Sequence, residues 1–299
     1  MPGLDGIGMA DEPAHEPAGN KPTARRMVLG TQLRRLRERA NVTRAEAGYN
    51  IRGSESKISR MELGRVGFKE RDVVDLLSMY GVNDPEERER FVELVRESNQ
   101  PGWWRPYNDL IPSWFDDFVG LEEAAVRIQT YEPHFVPGLL QTEDYARAII
   151  SHGKPETAGD EDERRVALRM RRQKLLTGPD APRLWVVIDE SVLYRPIGGP
   201  QVLRDQLEKL VEVTKQARIT VQVVPYELSG YAAEGAFTLL RFFEPELPNV
   251  VFIEHLAGGM YLEKPADIEK YSRALDRLAV DAETPDRSRA RLQKRIAEL

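Results

Sequence analysis

The sequence predicts a mainly α N-terminal domain followed by an α+β C-terminal domain. Three observations carry this. Apolar residues recur at helical spacing almost without a break from Leu29 to about Ser98. Short β-branched runs begin only near Pro182. Charge divides as well: residues 21–83 hold 14 Lys and Arg against 7 Asp and Glu, an excess of +7, so with a net charge of −6 the remaining residues carry −13. A basic block beside an acidic body points to a polyanion-binding domain on a carrier that binds something else, although a solvated helical face gives the same count.

Residues 1–22, rich in Pro, Gly and Ala without periodicity, read as a disordered leader. They carry Asp5, Asp11, Glu12 and Glu16 and no apolar core, so they do not read as a secretory signal. The first helix follows, with Leu29, Leu33 and Leu36 as its buried stripe and Arg34, Arg35, Arg37 and Arg39 mainly on the opposite side. Asn41 ends it. Thr43 and Glu46 have the spacing of a capping box, which opens a short helix from Arg44 to about Tyr49. Ala45, Ala47 and Gly48 are small, so another helix can cross it closely. Arg52-Gly53 supplies the turn, and Ser54 is a good N-cap for a helix over Glu55–Leu63 that Gly64 terminates. In that helix Ile58 and Met61 point inward, leaving Ser56, Lys57, Ser59 and Arg60 facing out.

Two short helices joined by a tight turn, the second presenting Ser, Lys and Arg, make a helix-turn-helix. Its second helix enters the major groove with its N-terminal half near the base edges. Arg and Lys suit guanine O6 and N7, Ser bonds several edges, and the helix N-terminus with Ser54 can hold a phosphate. A helical hairpin used for protein contacts is the structural alternative. The segment Ser56-Lys57-Ile58-Ser59-Arg60-Met61-Glu62, with Leu33-Arg34-Arg35-Leu36-Arg37 and Thr43-x-x-Glu46 ahead of it, resembles the Cro- and lambda-repressor-like (Xre-type) helix-turn-helix. The resemblance covers about residues 29–82. It implies a five-helix domain, with Glu70–Tyr80 and Pro85–Glu97 as the fourth and fifth helices. It also implies that Arg44 touches phosphate and that Glu55, Ser56, Lys57 and Arg60 form the base-reading face. Many relatives place Gly at the turn position that Arg52 fills here. The domain is drawn over residues 23–100.

Residues 101–299 form the second domain. Its middle, about Phe115–Leu176, reads as mainly helical. Leu139, Leu140, Tyr145, Ala148 and Ile149 form the buried side of a short helix pair, and Glu161–Lys174 is a charge-dense helix. Strands are expected at Leu184–Asp189, Ile219–Val224, Phe237–Phe243 and Val250–Glu254, and helices at Gln201–Gln216, Ala266–Ala279 and Ser288–Leu299. Gly198-Gly199 and Gly258-Gly259 read as turns. Trp103-Trp104-x-x-Tyr107, the run from Tyr131-Glu132 through Tyr145-Ala146, Arg169–Gln173, Asp189-Glu190-x-x-Leu193 and Tyr261-Leu262-Glu263-Lys264 resemble a poorly characterised C-terminal domain. Regulators of filamentous soil bacteria carry it behind an Xre-type helix-turn-helix. Such proteins resemble antitoxin-like regulators and often sit beside a gene for a small partner protein, which implies a protein partner.

The chemistry that the sequence leaves out is also informative. With no Cys and four separated His, thiolate and His-rich metal sites are not expected, and the lack of Cys fits a reducing cytoplasm. No G-x-S-x-G and no G-x-x-x-x-G-K-[ST] occurs. Asp189-Glu190 and Glu254-His255 close strands, where carboxylates serve active sites or simply meet solvent. The stretch from Glu132 to Leu140, with His134 titratable, reads as a pocket wall or, preferentially, as a rigid connection. The cluster Trp103, Trp104, Tyr107, Trp114, Phe115 and Phe118 is a hydrophobic joint between domains or an aromatic cage, the joint being favoured by its place at the composition boundary.

The expected function is sequence-specific transcriptional regulation by a cytoplasmic, nucleoid-associated homodimer on a double-stranded DNA operator. Arg44, Ser54, Glu55, Ser56, Lys57, Ser59 and Arg60 are the expected DNA-binding set. Trp103, Trp104, Tyr107 and His134 are the expected ligand or partner residues of a sensing C-terminal domain. No catalytic residue, metal, cofactor or membrane contact is expected, and the protein is not expected to be an enzyme. The alternative is an antitoxin-like adaptor that mainly holds a small partner protein and represses its own operon secondarily.

Overall fold

The computed structural model describes residues 24–64, 66–100, 102–153, 159–227, 235–243 and 247–299. The leader expected over 1–22 lies outside the described residues.

The N-terminal part is helical: α1 (Ala24–Arg39), α2 (Arg44–Asn50), α3 (Glu55–Glu62), α4 (Glu70–Met79) and α5 (Pro85–Ser98). Each junction has a local cause. Asn41 takes a φ of 54°, a left-handed value that Asn tolerates, and stops α1. Thr43 Oγ1 accepts from Glu46 N at 3.2 Å and Glu46 Oε2 accepts from Thr43 N at 2.8 Å, so the capping box opens α2. Asp84 caps α5, with Pro85 in its first turn. Leu29, Leu33, Ala47, Ile58, Met61, Val73, Leu76 and Leu77 form the core.

The C-terminal part contains α6 (Ser113–Ala124), β1 (Arg127–Glu132), α7 (Glu143–Gly153), α8 (Asp160–Arg172), β2 (Arg183–Asp189), α9 (Pro200–Val213), β3 (Ile219–Val224), β4 (Phe237–Arg241), β5 (Val250–His255), β6 (Gly258–Leu262), α10 (Pro265–Asp281) and α11 (Pro285–Glu298). The strands form one mixed sheet of order β3-β2-β1-β4-β5-β6. β3, β2 and β1 run parallel, and β4, β5 and β6 extend the sheet antiparallel. The fold class is therefore the expected one, helical first and α+β second.

Two strands correct the sequence reading. The middle segment is mainly helical as expected, but it also contains β1, an unexpected strand at the centre of the sheet. Its polar positions are buried: Gln129 Oε1 accepts from Arg241 Nε at 2.6 Å, and Thr130 Oγ1 lies 3.1 Å from Thr238 Oγ1. Satisfied in this way, they sit in the interior at little cost. Gly258-Gly259 is not a free turn but opens β6, paired with His255 and Glu254 of β5. A Cβ on Gly259 would come within 2.5 Å of the Phe252 ring and 2.8 Å of Trp114, so the glycine lets two aromatic rings lie against the strand.

Ile128, Leu184, Val186, Ile188, Leu240 and Val250 face a core shared with α6, α7 and α9. Tyr131, Val187, Leu239 and Val251 face the opposite side, where Leu275 and Leu278 of α10 cover them. The outer edge of β3 is occupied: Val223 N donates to Ser288 Oγ and Val223 O accepts from Glu283 N, which removes a free edge. Met27 of α1 packs against the core of the C-terminal part. Among the described residues no helix is long and apolar enough to cross a membrane.

Candidate nucleic-acid interface

α2 and α3 meet because α2 carries Gly48 at the crossing. A Cβ there would lie 2.8 Å from the carbonyl carbon of Ser54. Ala47 is buried beside it, whereas Ala45 faces solvent and takes no part. The turn closes with Gly53 N donating to Gly48 O at 2.8 Å. Arg52 takes the left-handed conformation, φ 53°, which Gly adopts more readily than any residue with a Cβ. Ser54 then caps α3, its Oγ accepting from Lys57 N at 3.1 Å. Gly64, with φ 66°, ends the helix against the backbone of Met27.

Ile58 and Met61 are buried, which fixes the rotation of α3 and turns Glu55, Ser56 and Arg60 to solvent. Ser54 and Arg52 are exposed at the same end. Lys57 and Ser59 are only half-buried rather than outward. The Lys57 ammonium pairs with Asp72 Oδ2 of α4 at 2.6 Å.

Arg37 and Arg44 also depart from the sequence reading. Arg37 is not on the outer side of α1: it is buried, with Nε 2.5 Å from Glu62 Oε1. Arg44 Nε lies 2.9 Å from Glu62 Oε2. One buried carboxylate therefore ties α1, α2 and α3 together, and hydrogen bonding to Glu62 raises the pKa of the Arg37 guanidinium. Glu62 holds two guanidinium groups, and the Arg44 side chain remains partly exposed at the N-terminus of α2. The site thus presents Arg52, Ser54 and Ser56 at the N-terminal end of α3, and Arg60 and the Glu62-bound Arg44 toward its C-terminal end. Asp72 and Glu62, which tether Lys57 and Arg44, were not singled out as site residues in the sequence. Each is distant in the chain from its partner, so no local spacing marks it.

Of the four residues expected to meet a ligand or partner, Trp103, Trp104 and Tyr107 share one cluster and His134 lies apart from it. Trp104 is buried with Val119 and Leu168, and its Nε1 donates to Asp116 Oδ1. Trp103 and Tyr107 are partly buried in that same cluster, with the Arg171 guanidinium 5.2 Å from the Trp103 ring. His134 is exposed and lies on a different cleft. The aromatic cluster is divided by α6: Trp114 and Phe118 turn instead to Phe252 in the sheet core. Glu190 is buried as a structural group, accepting from Arg291 Nη1 at 2.6 Å and from Tyr226 N.

A helix-turn-helix domain model matches residues 28–91, and a model described as a domain of unknown function (DUF5753) matches residues 115–294. No curated protein and no solved structure matches the chain.

Proposed function

The chain belongs to the DUF5753 family and carries a helix-turn-helix domain ahead of the matched segment, and from that premise we propose that it is a sequence-specific, dimeric transcriptional regulator of the Xre type. In this reading α3 enters the major groove. Ser56 and Arg60 read base edges, Glu55 restricts which bases are accepted, and Arg52, Ser54 and Arg44 position the phosphates. Lys57 contributes through its end of α3 once its bond to Asp72 is exchanged for one to DNA. The protein has no catalytic step and works in the cytoplasm, and its C-terminal domain senses a partner or ligand.

One observation carries the reading: Arg60 is exposed on the face of α3 opposite Ile58 and Met61, and no hydrogen bond or ion pair ties it among the described residues. A long cation left untethered on a rigid, capped helix is available for an outside acceptor. The test is selection of bound sequences from a random duplex pool, followed by affinity measurement at fixed salt and light scattering of the complex. The expected result is a two-fold symmetric site with half-sites about one helical turn apart, bound by two chains. Failure to enrich any sequence refutes the reading. The excess of negative charge outside residues 21–83 favours one second reading, in which a small basic protein docks on the C-terminal domain and DNA binding is secondary. Stoichiometric co-purification of such a protein from the native host, without enrichment of a DNA site, is the result that reading requires.

A further inference from the structure

On the sheet face that looks toward α6 and α8, β1 presents Thr130 and Glu132, β4 presents Thr238, and β5 presents Phe252 and Glu254. The helices do not close over this part of the sheet. They leave a cleft of about 570 Å3, within the range that small-molecule sites occupy.

One wall is aromatic. Phe118 stacks on Phe252 with centroids 4.2 Å apart, and Trp114 lies nearly parallel to Phe252 at 6.1 Å. The wall is fixed from outside, since the Tyr261 hydroxyl donates to Trp114 O at 2.5 Å. α8 supplies two guanidinium groups. Arg172 is neutralised by a two-point ion pair with Glu122, 2.5 and 2.9 Å, and lies 5.3 Å from the centroids of both Phe115 and Phe118. Arg169 has no such partner: no carboxylate lies within 4 Å of it among the described residues. Its Nη1 donates to Gln141 Oε1 at 2.8 Å. Gln141 is held by its own Nε2 bond to Val136 O at 2.6 Å, and Lys209 and Gln173 donate to its backbone carbonyl. Burial and the neighbouring Arg172 lower the Arg169 pKa to about 10. Glu254, whose charge acts in the opposite direction, is exposed at the rim, and burial pushes the Glu132 carboxyl up to about 7. A guanidinium in such surroundings is costly unless an anion meets it.

We propose that this cleft binds a small organic anion, with a flat apolar body against Trp114, Phe118 and Phe252 and its oxyanion on Arg169. The carboxylate or other oxyanion takes the guanidinium donors that Gln141 leaves open, and Thr130 and Glu132 lie beside the body of the ligand. The inference goes beyond the DNA-binding reading and stands without it, because none of these residues belongs to the helix-turn-helix.

The full chain is titrated with 1-anilinonaphthalene-8-sulfonate, which joins a flat apolar body to one anionic group, and the bound dye is then displaced with 1-naphthoate or with the neutral 1-naphthamide. The expected result is one dye site per chain, displaced at least tenfold more effectively by naphthoate than by the amide. Arg169→Gln is expected to weaken the dye and naphthoate at least tenfold while leaving neutral N-phenyl-1-naphthylamine bound as before, whereas Phe252→Ala weakens all three. The acid–amide comparison uses the unaltered chain, so it holds even where a variant folds poorly. Equal displacement by acid and amide, no displacement by either, or an Arg169→Gln loss that extends equally to the neutral dye overturns the proposal.

Discussion

Lys57 of α3 and Asp72 of α4 form an ion pair, Nζ to Oδ2, at 2.6 Å. The ammonium is therefore held along the protein surface by a carboxylate that is itself largely buried, and its charge is partly spent before DNA arrives. Asp72→Asn is expected to release it. Each added phosphate contact steepens the fall of log K with log salt by about 0.9. The variant should thus bind random duplex more tightly at low salt and show a slope more negative by about that amount. Tighter binding with an unchanged slope means that Lys57 already exchanges Asp72 for the backbone in the parent, and no change in either means that Lys57 does not reach DNA.

Arg60 is the contrasting case, exposed and untethered. Arg60→Ala is expected to cost about 1–3 kcal/mol in binding a selected site and to relax preference at one base position. The melting temperature should not move, since no contact within the protein is lost. A loss of equal size on selected and random duplex would make Arg60 a phosphate contact instead.

Glu62 stands between two guanidinium groups, and its removal leaves Arg37 buried without its carboxylate. Breaking a buried pair from one side costs about 3–5 kcal/mol. Glu62→Ala should lower the urea midpoint of the helical part strongly. Arg44→Ala should lower it far less, because that guanidinium is partly exposed. Equal effects would show that the loss comes from the Arg44 pair and not from stranding Arg37.

The motif was legible where one residue dictates one local geometry. Thr43, Glu46, Ser54 and Gly64 act on backbone groups within a few residues, so their spacing announces α2 and α3. Arg37 was misplaced because its partner is 25 residues away and the stripe of Leu29 and Leu33 says nothing about a neighbouring residue's rotamer. β1 was missed because Gln129 and Thr130 are paired across the sheet with residues more than a hundred positions later. The cleft was beyond sequence reading for the same reason: Trp114, Glu132, Arg169 and Phe252 come from four elements, and only the sheet order unites them.

The turn offers a backbone test. Arg52 occupies a left-handed conformation that costs an L residue about 1–2 kcal/mol relative to its ordinary regions. Arg52→Gly removes that strain but adds freedom to the unfolded chain, so the net expectation is a stabilisation of about 0.5–1 kcal/mol. Arg52→Val should destabilise, since β-branching crowds the same conformation further. Gly48→Ala should cost about 1–3 kcal/mol, because the Ser54 backbone has to shift. Thermal melting distinguishes these, and a Val variant as stable as the parent would disprove the strain.

Glu132 makes stability depend on pH in a direction opposite to that of a paired carboxylate. Burial is the main cause of its raised pKa, about 7 against 4.5, and the field of Glu254 on β5 adds to it, while the backbone N–H groups of His134 and Phe135 oppose it. The other groups around it are the His134 Nδ1, 3.8 Å away, and the phenols of Tyr131 and Tyr145. Between the two pKa values the folded state binds more protons than the unfolded one, so stability falls as pH rises. The loss is absent below about pH 4.5 and is complete above pH 7. Its ceiling is about 3 kcal/mol, from 1.36 kcal/mol per unit. Glu132→Gln keeps an oxygen for the two N–H groups and cannot ionise. It is therefore expected to match the parent near pH 4.5 and to exceed its urea midpoint increasingly from pH 5.5 to 8. His134→Ala, measured alongside, should leave that rise in place. If the Gln variant follows the parent's profile throughout, or if His134→Ala alone flattens it, the titrating group is not Glu132.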